Sequence, residues 1–135
     1  MAYDAATGTV VLFGGYTRTA GGIVTFGDTW TWDGSTWTKR APVSSPPARS
    51  GASMAYDAAT GTVVLFGGHD LRVNPLDETW TWDGSTWTKQ APVSHPTARY
   101  DTDSTYDAAS GSVVLFGGIG NNGVPGDTWT WGPSM

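Results

Sequence analysis

The sequence predicts an all-β chain built from about three repeats of one four-stranded unit, and three observations carry that expectation. Charged residues make up only 14% of the chain while Gly reaches 19 and Trp 8. That composition favours strands joined by tight turns over helices. The eleven letters "TWTWDGSTWTK" at 29–39 recur unchanged at 79–89, and "TWTWGPSM" closes the chain at 128–135. Finally, "MAYDAATGTVVLFGG" at 1–15 returns at 54–68 and, as "STYDAASGSVVLFGG", at 104–118, so the offsets are 53 and 50.

A period near 50 is the length of a four-stranded propeller blade. The second repeat shows the whole unit: strand A over 49–57, strand B over 62–68, strand C over 78–83 and strand D over 85–91. Each run has the length and β-branched or aromatic content of a strand. Gly61 in "AATG" supplies the left-handed residue of an A-to-B hairpin, and Asp83-Gly84 supplies the tight C-to-D turn. Connections this short make neighbouring strands antiparallel. Blade boundaries follow at about 1–43, 44–93 and 94–135, in one domain. Blade 1 opens at the tail of its strand A, and blade 3 stops before its strand D.

The face pattern separates stacked sheets from a sandwich with one wet side. In "TVVLF" Val63 and Leu65 take one face and Val64 and Phe66 the other, so strand B is apolar on both. In "TWTW" Trp80 and Trp82 share a face and Thr79 and Thr81 the opposite one. The repeated ribbon therefore reads as a spacer, with indoles of one blade lying on the Thr and Val surface of the next.

Several features together resemble the kelch repeat. They are the "VVLFGG" double glycine, the Tyr-Asp pair before that strand, the acidic residue two places before a Trp, the later Trp of "GSTWT" and the "PxxR" lead-in ending at Arg49 and Arg99. The resemblance covers nearly the whole chain and implies a β-propeller, with two departures. Gly51-Ala52 and Asp101-Thr102 stand where kelch repeats commonly carry Gly-His, and three repeats are fewer than the five to seven blades of a kelch ring. Two copies related by a two-fold axis would make a six-bladed ring; a segment of a longer propeller is the rival reading. Self-association is expected to bury Trp129, Trp131, Tyr3, Val11 and Phe13 at the seams, since unpaired edges and apolar blade faces are liabilities.

Composition narrows the function. A net charge of −5 and only two lysines, Lys39 and Lys89, argue against nucleic-acid and anionic-membrane partners. No run approaches a spanning helix, and no signal peptide is visible at the start. Little lysine with much Thr, Ser and Gly leans towards an extracellular or cell-surface setting. Absence of cysteine excludes disulfides and thiolate sites, and with them the Tyr-Cys copper cofactor of galactose oxidase, which a kelch resemblance would otherwise raise. "WDGSTW" departs from the sialidase Asp-box, because Asp33 and Gly34 are adjacent. No cofactor is expected, and no catalytic triad is readable around His69 and His95.

Loops following strand B differ in length and chemistry ("YTRTAGGIVTFG", "HDLRVNPLD", "IGNNGVPG"), whereas the A-to-B and C-to-D turns hardly vary. Variable loops on a rigid scaffold are where binding residues sit. Candidate ligand contacts are therefore His69, Asp70, Arg72, His95, Arg99, Tyr100, Asp101 and Asp103. Within that set Asp101 and Asp103, at i and i+2 of one strand face, form a weak metal candidate. Asp28, Glu78 and Asp127 read as carboxylates accepting backbone N–H groups at strand starts, and Arg49 and Arg99 as bonding to carbonyls or carboxylates of a neighbouring blade near the channel mouth. The expected function is a non-enzymatic binding or assembly scaffold that meets protein partners through the variable-loop face. Alternatives are an extracellular glycan-binding propeller and a fragment of a propeller enzyme.

Overall fold

The computed structural model describes residues 1–132, and every described element is a strand or a turn. In chain order the strands are β1 (Ala2–Asp4), β2 (Thr9–Phe13), β3 (Tyr16–Thr19), β4 (Gly22–Thr25) and β5 (Thr29–Trp32). There follow β6 (Trp37–Arg40), β7 (Ser53–Asp57), β8 (Thr62–Phe66), β9 (Thr79–Trp82) and β10 (Trp87–Gln90). The last five are β11 (Arg99–Tyr100), β12 (Asp103–Asp107), β13 (Ser112–Phe116), β14 (Ile119–Gly120) and β15 (Thr128–Trp131). Three antiparallel sheets form the body. Sheet 1 has the order β1-β2-β5-β6, sheet 2 the order β7-β8-β9-β10, and sheet 3 the order β12-β13-β15. A β3-β4 hairpin and a short β11-β14 pair stand apart from them.

Turn chemistry explains the regularity. Asp4, Asp57 and Asp107 end the first strand of each sheet, and Oδ1 of each accepts the N–H two residues on, from Ala6, Ala59 and Ala109 at 3.0, 3.0 and 3.1 Å. This Asx turn sets up Gly8, Gly61 and Gly111, whose φ values of 71°, 70° and 68° suit a residue without Cβ. Asp33 and Asp83 repeat the device in the last hairpin of sheets 1 and 2, where Oδ1 accepts the N–H groups of Ser35 and Thr36, or Ser85 and Thr86.

Register places the side chains. In sheet 2 Val63 opposes Trp82 and Leu65 opposes Trp80, while Val64 opposes Thr81 and Phe66 opposes Thr79. The Trp-bearing face of sheet 2, with Val63, Leu65, Trp80, Trp82 and Trp87, packs on Val11 and Phe13 of sheet 1. Its opposite face, with Ala55 and Val64, packs on Val113, Tyr106 and Trp131 of sheet 3. Both junctions share one polarity, the reverse of that read from the ribbon: the Trp face of a later sheet covers the Val/Thr face of the sheet before it, not of the next. Burial of a large apolar side chain stabilises by about 1.5–3 kcal/mol. The central sheet, buried on both sides, thus holds most of the core.

Several boundaries differ from those read in the sequence. The first strand of sheet 2 begins at Ser53, not at 49, because Arg49 and Ser50 pair elsewhere: Ser50 forms an isolated bridge with His69. The second strand ends at Phe66, where Gly67 and Gly68 turn the chain with φ of 68° and 94°. The segment after β2, read as a loop, folds into the β3-β4 hairpin around Ala20-Gly21. Sheet 3 lacks a fourth strand among the described residues, as the repeat frame implied.

Placement also corrects the expected seam residues. Val11 and Phe13 are 0% and 8% exposed, held within the junction of sheets 1 and 2, so neither is open to a second chain. Trp131 points inward onto the Ala55–Val64–Val113 cluster, and Trp129 lines the groove between sheets 2 and 3. The side chains alternating with these are the ones on the open outer faces. Of the expected set only Tyr3, 59% exposed, lies there.

Candidate functional site

The three sheets are sewn together by two buried arginines. Arg49 gives its main chain to sheet 1's loops, with its N–H donating to Phe26 O at 3.1 Å and its carbonyl accepting from Gly15 N at 2.9 Å. Its side chain reaches into sheet 2, donating to Gly67 O at 3.0 Å and pairing with Glu78 at 2.5 Å. Arg99 repeats the arrangement one sheet on, donating to Gly117 O at 3.2 Å and to both carboxylate oxygens of Asp127 at 2.6 and 3.1 Å. Arg99 is 0% exposed, and its guanidinium is consumed by these bonds rather than offered to a ligand.

The carboxylates have partners other than those the sequence implied. Asp28, Glu78 and Asp127 accept the indole N–H of Trp30, Trp80 and Trp129 at 2.8, 3.1 and 2.7 Å. Burial pushes the Glu78 carboxyl up, but bonds from Arg49, Lys89 and Trp80 outweigh it and lower the group to about 2. Arg99 and then Trp129 hold Asp127 far below the usual carboxylate range.

At the end of the sheets carrying the glycine pairs, the non-repeated segments enclose a basin of about 260 Å³. Tyr16, Arg18 and Ile23 come from the β3-β4 hairpin, Ser50 and Asp101 from the approaches to sheets 2 and 3, and His69, Asp70, Leu71 and Val73 from the loop after β8. That loop is shaped by Asp70. Its Oδ1 accepts from Arg72 N at 2.8 Å and Asn74 N at 2.9 Å, and its Oδ2 from the Asn74 amide at 2.9 Å. The Asn74 bonds lead in holding its carboxyl below the ordinary value. So clasped, the loop holds Val73 at φ 62°, a left-handed conformation that a β-branched residue rarely adopts, and leaves Leu71 and Val73 about half exposed.

His69 is fixed from both sides. Its main chain exchanges hydrogen bonds with Ser50 at 2.8 and 3.0 Å, and its ring meets Tyr100 edge-on at 4.8 Å. Nδ1 lies 3.0 Å from Asp70 O, an atom that only accepts, so Nδ1 is the donor of this bond.

The structure brings together His69, Asp70, Tyr100 and Asp101 of the expected ligand contacts, and separates the rest. Arg72 contributes its N–H to the Asp70 clasp. His95 lines the groove between sheets 2 and 3, with Nδ1 on Pro96 O at 2.9 Å. Asp101 and Asp103 do not share a strand face. Asp101 sits outside the strands at φ 53°, breaking the alternation, while Asp103 opposes Phe116 on the outer face of sheet 3. No cluster of three or more His, Cys, Asp or Glu side chains that could hold a metal occurs among the described residues.

Missed in the sequence were Arg18 and Ile23, whose hairpin was signalled by the Ala20-Gly21-Gly22 turn between β-branched runs. The chain matches no protein-family model and no curated protein. A solved structure titled "Structure of YjhT" resembles it with a TM-score of 0.67 at 18% identity, over 91% of this chain and 39% of that one. The likeness is one of fold, and this chain spans well under half the length of that protein.

Proposed function

We propose that the chain is a kelch-type β-propeller segment that works as a binding scaffold, with the basin formed by its non-repeated loops as the contact surface for a protein partner. Stacked sheets of one polarity, joined by buried arginines, hold the loops in fixed relation. The observation that carries the reading is the make-up of the basin. Tyr16, Ile23, Leu71 and Val73 are each between 43% and 53% exposed there, beside Arg18, His69, Asp70 and Asp101. Exposed apolar side chains set among charged ones are the make-up of a protein interface. Tyr16 is the one Tyr, Trp or Phe ring in the basin's lining, and aliphatic and charged side chains outnumber it, which favours a protein over a glycan.

A displayed peptide library selected on the wild-type protein, beside a glycan panel, tests this. Enriched peptides should lose roughly tenfold or more in affinity against an Arg18→Glu, Leu71→Asp variant. Both side chains are exposed, so that variant keeps the fold. Glycans bound in place of peptides, or peptides indifferent to the variant, would overturn the proposal.

A further inference from the structure

The two outer faces of the stack are opposite in kind. Since every junction sets the Trp face of a later sheet on the Val/Thr face of the earlier one, sheet 1 is left with an open Trp face and sheet 3 with an open Val/Thr face. On sheet 1 this face carries Tyr3, Val10, Leu12, Trp30, Trp32 and Trp37, by the pairings Tyr3 with Val10, Val10 with Trp32, Leu12 with Trp30 and Trp32 with Trp37. On sheet 3 it carries Asp103, Thr105, Val114, Phe116, Thr128 and Thr130, with Asp103 and Thr128 flanking Phe116 and Val114 opposite Thr130.

The junction of sheets 1 and 2 shows what each open face is shaped to meet. There Trp87 stands edge-on to Phe13 at 5.5 Å and donates its indole N–H to Thr29 Oγ1 at 2.9 Å. Its counterpart on the open Trp face is Trp37, within the same eleven-residue ribbon. The counterparts of Phe13 and Thr29 on the open Val/Thr face are Phe116 and Thr128. The Trp32–Trp37 pair already adopts the geometry of Trp82–Trp87, with centroids at 5.5 against 5.4 Å and planes at 45° against 47°. Yet Trp37 is 43% exposed where Trp87 is 1%, and Phe116 is 54% where Phe13 is 8%. Each open face is therefore a preformed half of a junction that the chain makes internally.

We propose that the occupant is a second copy of this chain: the Trp face of sheet 1 in each copy docks on the Val/Thr face of sheet 3 in the other, closing two chains into one ring of six sheets. Such a contact is heterologous, since the two surfaces it joins are different. Trp37 of one copy then meets Phe116 edge-on and donates to Thr128 Oγ1 of the other, at both seams.

Light scattering of the 135-residue chain at micromolar concentration should give about twice its 14.2 kDa mass. Trp37→Asp spoils only the Trp face and Phe116→Asp only the Val/Thr face. Each variant alone should be a monomer with the wild-type β-sheet circular dichroism spectrum. Mixed, they should form a one-to-one pair through the single seam that retains both wild-type surfaces, a rescue that misfolded variants cannot produce. A wild-type chain that stays monomeric would overturn the proposal, as would a Phe116→Asp variant that still pairs with itself. The seam residues lie outside the loop basin, so the peptide-binding result and this one fail independently.

Discussion

Trp87 and Thr29, in the last strand of one sheet and the third strand of its neighbour, are joined by an indole-to-hydroxyl hydrogen bond of 2.9 Å in a place where both are about 1% exposed. A buried indole needs an acceptor for its N–H, and the threonine of the repeated Thr-Trp-Thr-Trp run supplies one on the face opposite to its tryptophans. One ribbon thus furnishes donors on its own sheet and acceptors for the next.

Removing the ring should therefore cost far more than removing the bond. Trp87→Ala leaves a cavity at the main junction and is expected to lose about 3–5 kcal/mol of unfolding free energy in urea titration. Trp87→Phe keeps most of the packing but strands the Thr29 hydroxyl, for about 1–3 kcal/mol. Adding Thr29→Val to Trp87→Phe should recover part of that loss, because both polar partners are then gone. A double variant no better than the sum of the single ones would show that the bond contributes nothing.

Glu78 makes stability depend on pH. Its carboxyl titrates at about 2 in the folded protein, against an ordinary value of 4.5, so the unfolded chain takes up the proton first as pH falls. The stabilisation is complete above the ordinary value and drains away as pH falls from there towards 2. Glu78→Gln cannot titrate. Its melting temperature should lie below wild type at neutral pH, and the gap should narrow steadily as pH falls through that window. A gap that is the same at every pH would refute the assignment.

The double glycines test close approach against backbone conformation. Gly67 and Gly117 occupy the same place in consecutive repeats with φ of 68° and 74°. A Cβ on Gly67 would meet the main-chain oxygen of Arg99 at 2.3 Å, whereas one on Gly117 meets nothing within 4 Å. Gly117→Ala should cost about 1 kcal/mol, the penalty of a left-handed alanine. Gly67→Ala should cost several times that by the same urea titration and should loosen the junction held by Arg99. Equal losses would mean that conformation alone demands the glycines.

Repetition made the architecture readable in the sequence. The Asp-x-x-x-Gly turns, the apolar β8 run and the Trp/Thr alternation are local statements, and each copy says the same thing, so strand order and the two alternating faces of each sheet follow from periodicity. What a side chain meets is not local. Val11 and Tyr3 both looked like seam residues, yet β1 and β2 face the neighbouring sheet with alternate residues, and only the direction in which the sheets stack decides which set is covered. Arg49 and Arg99 read in the sequence as bonding to a neighbouring sheet, but which acceptors they reach, 18 and 28 or 29 residues further along the chain, was set by the stacking. The same holds for the basin, where a hairpin after β2, a clasped loop after β8 and a left-handed Asp101 converge although no spacing in the chain relates them. Short-range hydrogen bonding and side-chain alternation determined the elements; the polarity of stacking, a long-range packing choice, decided which surfaces are core, seam or site.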